Sequence, residues 1–487
     1  MKEIFKYLIC GVIVLASSCS GLLDEHPKKV DSSTFMSNAE EVQSVVNSVY
    51  YELGRTAGFG RYLSVFSESL SDYCYGRGSY ATSYSSGLTS AGISLTKDTW
   101  AVLYRSIRFC NEILNRIPDS DLTDAERANL TGEVRFLRAF SYSFLVKYYG
   151  ALPFFNEKNM DNFNKPRTPE KEIWEFISDE SDYCAEHLPA EVAEQGHPSK
   201  FAAMMLKTEA SLYLEDWSIA AETAKKIIDS KEYALVEVSE ADDFDRLYGS
   251  SANGSSEEIF YIKYNTDHGA SFPWMFLCKP NPVFNTGALG IYTDYVNNKV
   301  IAGWDKNDCR YQYSLYQQKE NGALNSMTPT GMICLKYRDY GTNGSTMAND
   351  YPVYRYADVL LYYAEALCRR DGTPGQEAME KVNMIHRRAY GLDPDSIQAN
   401  DYDVEDYSTQ DLFIELVLKE RGYEDIFEGK RYCDLKRCGL LAEYAVRAGR
   451  IASVDQVGDA AYWWPIPTDE FNYNEALDPS IDQNPGY

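Results

Sequence analysis

One stretch of this 487-residue chain limits its fold more than any other: Tyr351 to Gly391, YPVYRYADVLLYYAEALCRRDGTPGQEAMEKVNMIHRRAYG. From Tyr354, small and apolar residues recur at Tyr354, Ala357, Leu360, Leu361, Ala364, Leu367 and Cys368, the three- and four-residue steps of one helical stripe. The run from Asp371 to Gly375 interrupts it, and a second stripe follows at Ala378, Val382, Ile385 and Ala389 until Gly391 stops the helix. This spacing predicts a helical hairpin. Alanines at the seam bring the two axes close and leave the outer faces for further helices.

Other helices follow the same logic. Ser37-Asn-Ala-Glu40 reads as a capping box opening a helix to about Leu53, and Thr123-Asp-Ala-Glu126 caps a long one to about Tyr149. Trp100 to Leu114 carries an amphipathic stripe, and Thr168-Pro169-Glu170 starts a helix through His187 with proline at its first position. Ser199 to Ser230 makes a second hairpin of tetratricopeptide spacing. Ser408 to about Lys436 is helical again. Two regions lack the helical period. Gly54 to Lys97, rich in Gly, Ser and Tyr, is expected to be a long exposed loop system, and Glu232 to Met347 holds short alternating runs such as Glu258 to Tyr264. The predicted class is therefore mainly all-α, a tetratricopeptide-like hairpin scaffold with long irregular loop insertions and a few short strands.

The start of the chain reads as a targeting segment. Lys2 and Lys6 precede the apolar run Tyr7 to Ala16, which is too short to span a bilayer, and Leu15-Ala-Ser-Ser-Cys19 places small residues before a cysteine. This pattern resembles a bacterial lipoprotein signal, which implies cleavage before Cys19 and acylation there; the alternative is an ordinary secretory signal with a chance cysteine. The resulting division is 1–18 signal, 19–36 lipidated tether and 37–487 a single domain. Within that domain, 37–230 holds N-terminal helices with the loop insertion 54–97, 231–350 is a loop-rich insertion, and 351–487 holds the last hairpin, a helix and a tail.

Composition excludes some functions. A formal net charge of -26 argues against nucleic acid, whose phosphates need Lys and Arg clusters. The chain has no HExxH, GxSxG or P-loop motif, and His26, His187, His197, His268 and His386 show no ligand spacing. No catalytic residue, metal site or cofactor is indicated, and a structural calcium ion is the one species left open. No CxxC pair appears among the eleven cysteines. Thirty-nine tyrosines do need a use.

Five stretches in order resemble the SusD/RagB family of outer-membrane nutrient-binding lipoproteins. They are Cys19 with Leu23-Asp24 and Pro27; GEVRFLRAFSYSFLVKYYGALPFF at Gly132 to Phe155; RYADVLLYYAEAL at Arg355 to Leu367; ERGYEDIFEGKRYCDLKRCG at Glu420 to Gly439; and WPIPTDEF with the closing QNPGY. Gly422 and Asp425 depart from the family's usual bulkier and apolar residues. The resemblance implies a helical fold with ligand loops, lipid anchoring at the outer membrane facing the exterior, and a SusC-like TonB-dependent barrel to which bound oligosaccharide, or in some members peptide, is delivered.

The charged residues of the motifs read as structural. Arg355 with Asp358 and Glu365 with Arg369 have the spacing of helix-surface pairs, and Glu420, Arg421, Glu424, Glu428, Arg431 and Asp434 read alike. Aromatic loops are the better ligand candidates, because a sugar's C–H face lies on a flat ring while its hydroxyls bond to amides and charged groups. Tyr73, Tyr75, Arg77, Tyr80 and Tyr84 form one candidate set; Trp274, Tyr292, Asp294, Trp304, Asp308, Arg310, Tyr311 and Tyr313 form the other. Many such rings are expected to serve as local core instead. Oligosaccharide capture without catalysis is the leading expectation. A peptide-binding lid of the same kind of transporter and an exported glycoside hydrolase are the alternatives.

Overall fold

The computed structural model describes residues 36–266, 271–272, 274, 277–278, 287–317, 330–341 and 346–487; Cys19 and the signal lie outside the described residues. In chain order the main elements are α1 (Ala39–Gly54), α2 (Tyr62–Ser69), β1 (Tyr75–Gly76), α3 (Ser90–Arg116), α4 (Asp124–Tyr149), α5 (Glu170–His187), α6 (Lys200–Tyr213) and α7 (Trp217–Ser230). Then come β2 (Glu258–Ile262), β3 (Ile291–Asp294), β4 (Leu315–Tyr316), β5 (Gly331–Cys334), β6 (Tyr351–Arg355), α8 (Tyr356–Asp371), α9 (Gln376–Ala389), α10 (Gln410–Glu424) and α11 (Arg431–Arg437). The protein is mainly α-helical.

From α3 the long helices pack in chain order, α3 on α4, then α5, α6, α7, α8 and α9, while α1 lies against α3 and α10 against α8. The stack is unbroken between α7 and α8 although residues 231–355 intervene, because Ala220, Ala221 and Ala224 and the fully buried Ala357, Leu361 and Ala364 leave room for that junction. A long excursion costs little once its ends are fixed, since loop-closure entropy grows only with the logarithm of length. Buried apolar side chains from α1 to Ile466 join in one cluster. Each fully buried Leu, Ile or Phe in it contributes about 1.5–3 kcal/mol.

Local signals differ from the sequence expectation at several ends. The α1 cap is Asn38, which accepts the Glu41 N–H, while the Glu41 carboxylate accepts from Ser37, so the box is shifted one residue from Ser37–Glu40. The Thr123–Glu126 box forms as expected. Pro169 is the N-cap of α5 and not its first helical residue. α8 begins at Tyr356: Tyr351–Arg355 is instead a strand paired with β2, in the register Tyr351↔Ile262 and Arg355↔Glu258. The Asp358 carboxylate accepts the Arg355 N–H at 2.9 Å and so caps α8. The run from Ser408 breaks between α10 and α11, where Phe427 (φ 64°) and Gly429 (φ 74°) turn left-handed.

The largest correction concerns 54–97, which is not an exposed loop system. Thr56–Gly60 forms a π-helical turn, α2 is buried along its length from Leu63, and α3 already starts at Ser90. Serines misled the reading. Ser67 donates to the Gly429 carbonyl at 2.6 Å and Ser71 to the Glu68 carbonyl at 2.6 Å, so these hydroxyls carry no desolvation debt when buried.

The motif charges are structural but not on the surface. Arg355, fully buried, donates to Glu424 (2.8 Å), Asp425 (2.9 Å), Glu428 (2.8 Å) and Glu257 (3.4 Å). Arg388 binds Glu257 and Glu424, Lys336 binds Glu428, and Arg421 binds Asp358, Asp425 and Asp434. Asp425, one of the two family departures, is thus a member of the network. Gly422, the other, leaves space for Arg431, whose Nη1 would lie 3.0 Å from any added Cβ. Burial alone would raise the Glu424 carboxyl, but Arg388, Arg355 and Arg310 hold it down at about 2. Glu428 is likewise held low against burial by Arg355, Lys336 and Lys430.

Candidate functional site

Arg431, which donates to the Leu418 carbonyl of α10, also grips the buried Asp72 with two bonds of 2.9 Å. Asp72 begins a short excursion, residues 72–80, whose stem Arg450 also holds by donating to the carbonyls of Ser71 and Cys74. The tip is therefore mounted on the rigid interior. Gly76 is required there, since a Cβ would come within 1.8 Å of the Tyr80 carbonyl. β1 adds to the antiparallel sheet of order β1–β3–β5–β4, with Tyr75 opposite Tyr292.

That register brings the two predicted aromatic sets into contact. Tyr75 and Tyr292 stack at 5.3 Å and 20°, both half-buried, and Arg450 lies over the Tyr75 ring at 4.2 Å. Arg77, also half-buried, donates to the Leu289 carbonyl at 3.4 Å. Tyr80 packs on Phe66 at 5.6 Å and Tyr62 at 6.5 Å. Tyr62 then lines a cleft of about 600 Å³ with Tyr51, Arg55, Asp98, Lys263 and Tyr264. Tyr51 is 68% exposed, whereas Tyr264 is buried with its hydroxyl unpartnered among the described residues. The result is two ring groups brought together where Gly76 meets the Tyr80 backbone: the Tyr75–Tyr292 stack, and Tyr80 with Tyr62 leading into the cleft.

The remaining predicted residues are used up inside the protein. Tyr73 is buried beside Glu68, and Tyr84 is buried with its hydroxyl on the Leu70 carbonyl at 2.9 Å. Trp274 donates to Ser64 at 2.8 Å from full burial. Asp294 accepts from Val296, Asn297 and Thr330, which closes the turn after β3. Trp304 stacks on Tyr423 at 4.2 Å and 4°, and its indole N–H donates to Asp308. Asp308 in turn chelates Arg310, which also binds Glu420 at 2.8 Å. Tyr311 meets the Met332 sulfur and Tyr313 the Asp245 carboxylate. These nine side chains have no open face for a ligand. Their sequence neighbourhood resembled a loop, and distant partners complete the burial of several: Ser64 for Trp274, Tyr423 for Trp304 and Glu420 for Arg310.

The sequence reading missed Tyr51, Tyr62, Asp98 and Tyr264. Tyr50-Tyr51 at the exposed end of the first predicted helix was a usable signal for one of them. Tyr62 sits on α2, which the Ser- and Gly-rich composition concealed.

Known proteins share the sequence pattern and the fold. A sequence model described as the SusD family matches residues 288–487, and one described as starch-binding associating with outer membrane matches 22–213. SusD-like protein P2 of Formosa agariphila is 24% identical over 522 residues, covering 99% of this chain and all of that protein. A SusD homolog from Bacteroides thetaiotaomicron shares the fold with a TM-score of 0.77 at 23% identity, over 94% of this chain and 99% of its own. Surface glycan-binding protein A from the same organism, solved in complex with laminarihexaose, has a TM-score of 0.71 at 23% identity, over 92% of this chain and 100% of its own.

Proposed function

This chain belongs to the SusD/RagB family, and on that premise we propose that it is a carbohydrate-binding lipoprotein of the outer membrane, anchored at Cys19 and facing the cell exterior. It captures an oligosaccharide and delivers it, unaltered, to a SusC-like TonB-dependent barrel. The observation that carries the reading is the mounted pair of ring groups, Tyr75 with Tyr292 and Tyr80 with Tyr62, with Arg77 and Asp98 at their borders. Stacked rings hold the apolar face of a pyranose, and the polar groups accept or donate to its hydroxyls. Several weak subsites in a row favour a polymer over a monosaccharide.

The ligand-binding set that follows is Tyr62, Tyr75, Arg77, Tyr80 and Tyr292, narrower than the set proposed from sequence. The test is a glycan array followed by titration calorimetry, with laminarihexaose as the first probe because a protein of the same fold was solved with it. Removing two stacking rings, in Tyr80→Ala/Tyr292→Ala, is expected to weaken binding about thirtyfold. Undiminished binding by the double variant refutes the site. Absence of any glycan binding, together with capture of cationic peptides by a surface of net charge -26, refutes the carbohydrate reading in favour of a peptide-binding lid.

A further inference from the structure

A second pocket, of about 530 Å³, lies elsewhere on α3 and shares no lining residue with the cleft. Its floor is Tyr104, Ile107, Phe155 and Met160, with Tyr104 and Phe155 edge to face at 6.1 Å. Two rings stand at its rim in the open, Phe163 at 70% and Tyr473 at 81% exposure. Both come from irregular or short segments, 150–167 and the C-terminal Thr468–Tyr473, and neither belongs to the apolar cluster of the core. Large rings left this exposed on either side of one concavity are unusual for a surface with nothing to bind.

The polar groups of this pocket decide what it fits. Asn111 is 1% exposed and lines it; its carbonyl accepts from Arg138 at 2.8 Å, whereas its Nδ2 has no partner among the described residues. A buried amide donor without an acceptor is unfavourable, and a ligand oxygen that displaces the wall over it would relieve that. Glu470 accepts from the Trp100 indole at 2.9 Å, and burial raises its carboxyl above the usual range. Glu112 and Asp161 add carboxylate acceptors at the rim. An alkyl chain would leave the Asn111 amide unpaired and would desolvate the carboxylates without offering them a donor. A pyranose satisfies them, presenting C–H to the rings and hydroxyls to the amide and carboxylates.

We propose that this pocket is a second carbohydrate-binding site, and the proposal rests on the carbohydrate reading of the first. Asp98 in the cleft and Asn111 in the pocket are thirteen residues apart on one helix, about 20 Å along its axis. The two positions also lie about 140° apart around the helix, so a glycan long enough to follow the surface between them engages both, which multiplies retention of polymer with no gain for short oligosaccharides.

The test labels methionine methyl groups with carbon-13 and follows Met160, which lines only the second pocket, in the otherwise intact protein. Gluco-, manno-, xylo- and galacto-oligosaccharides of two to six units are the probes. In the Tyr80→Ala/Tyr292→Ala background the Met160 methyl is expected to shift saturably, and Phe163→Ala or Tyr473→Ala to weaken that binding at least tenfold. These two rings are exposed, so folding is not at stake. Retention on an affinity gel of the matching polysaccharide should fall for each single-site variant and further for the combination. If calorimetry detects an oligosaccharide in wild type while Met160 stays still and Phe163→Ala changes nothing, the second site is refuted and the first stands. If no probe gives heat or moves Met160, both are refuted.

Discussion

Around Arg355 and around Tyr292 the protein assembles the same kinds of residue, arginine, tyrosine and carboxylate, to opposite ends. At Arg355 the groups are sealed: Glu257, Glu424 and Glu428 are fully buried, and Tyr248 closes over Arg355 at 5.6 Å from its ring. Every charge there faces an opposite one, and Glu424 and Glu428 are held ionised against the cost of burial. At Tyr292 the rings are only half covered and Arg77 makes one long bond to a backbone carbonyl. Sealed charges paired with one another are out of a ligand's reach, and half-covered groups are within it. The two regions are connected through α10, because Arg431 donates to its Leu418 carbonyl and, with Arg450, fixes the stem of the Tyr75 excursion. The protein interior, through these two arginines, therefore acts as the mount for the surface site.

The strongest way to break this contrast is Arg355→Ala, which leaves Glu257, Glu424, Asp425 and Glu428 without their common cation. Removing one partner from a buried ionic cluster costs about 3–5 kcal/mol, and the upper end is expected here because several carboxylates lose out together. Chemical denaturation measures the loss. A stable Arg355→Ala protein with selectively lost ligand binding would reverse the assignment of roles. Trp304→Ala comes next, at about 3–4 kcal/mol, for a buried indole that loses the Tyr423 stack and strands Asp308. Its folded fraction, measured by the same denaturation and by calorimetry, should bind ligand with unchanged affinity.

The helices were legible because their signals are local. The stripe Ala357–Leu361–Ala364–Cys368 repeats within two turns of itself, and Gly372 stops α8 in a left-handed conformation where the sequence placed a break. The sealed charges were legible only as structural, not as buried, because Arg355 meets Glu428 across 73 residues and Arg310 meets Glu420 across 110. No helical spacing encodes such a partner. The site suffered the same limit. Trp304 and Tyr292 look alike in sequence, two aromatics in a loop-rich stretch, and differ because Tyr423, Tyr311 and Asp308 close around one while the other stays half-buried against Tyr75. Asp425 shows the reverse case: unfavourable by helix propensity, it is explained once Arg355, Arg421 and Lys430 are seen around it.

The open side of the contrast is sharpened by the rings themselves. Tyr80→Ala/Tyr292→Ala should cost about 2 kcal/mol of binding and less than about 1 kcal/mol of folding stability, the inverse of Trp304→Ala. Calorimetric titration and denaturation of the same sample give both numbers. Equal losses in the two measurements would mean that the stack is core, and that the mounted rings are not a site.

The smallest expected effect probes the seam between the two regions, at Glu68. This fully buried carboxyl of α2 accepts the Gly429 N–H at 2.7 Å, with Tyr73, Lys336 and Glu428 around it. Burial raises it to about 8, against the pull of the Gly429 bond. A raised acid binds its proton more tightly in the folded chain, so its contribution is full below the unfolded value of 4.5 and is lost as pH climbs towards about 8. Asp425, which burial lifts to about 7, drifts in the same direction, whereas Lys436, which burial lowers to about 8, acts only above that pH. The informative quantity is thus the difference between wild type and Glu68→Gln, whose amide imitates the protonated acid. Between pH 6 and pH 7 wild type should lose up to about 1.4 kcal/mol relative to the variant, and above pH 8 the two should run parallel. Parallel curves throughout would mean that Glu68 is ionised and paired like Glu424, which would extend the sealed network to the foot of the Tyr75 excursion and move the boundary between the two regions outward.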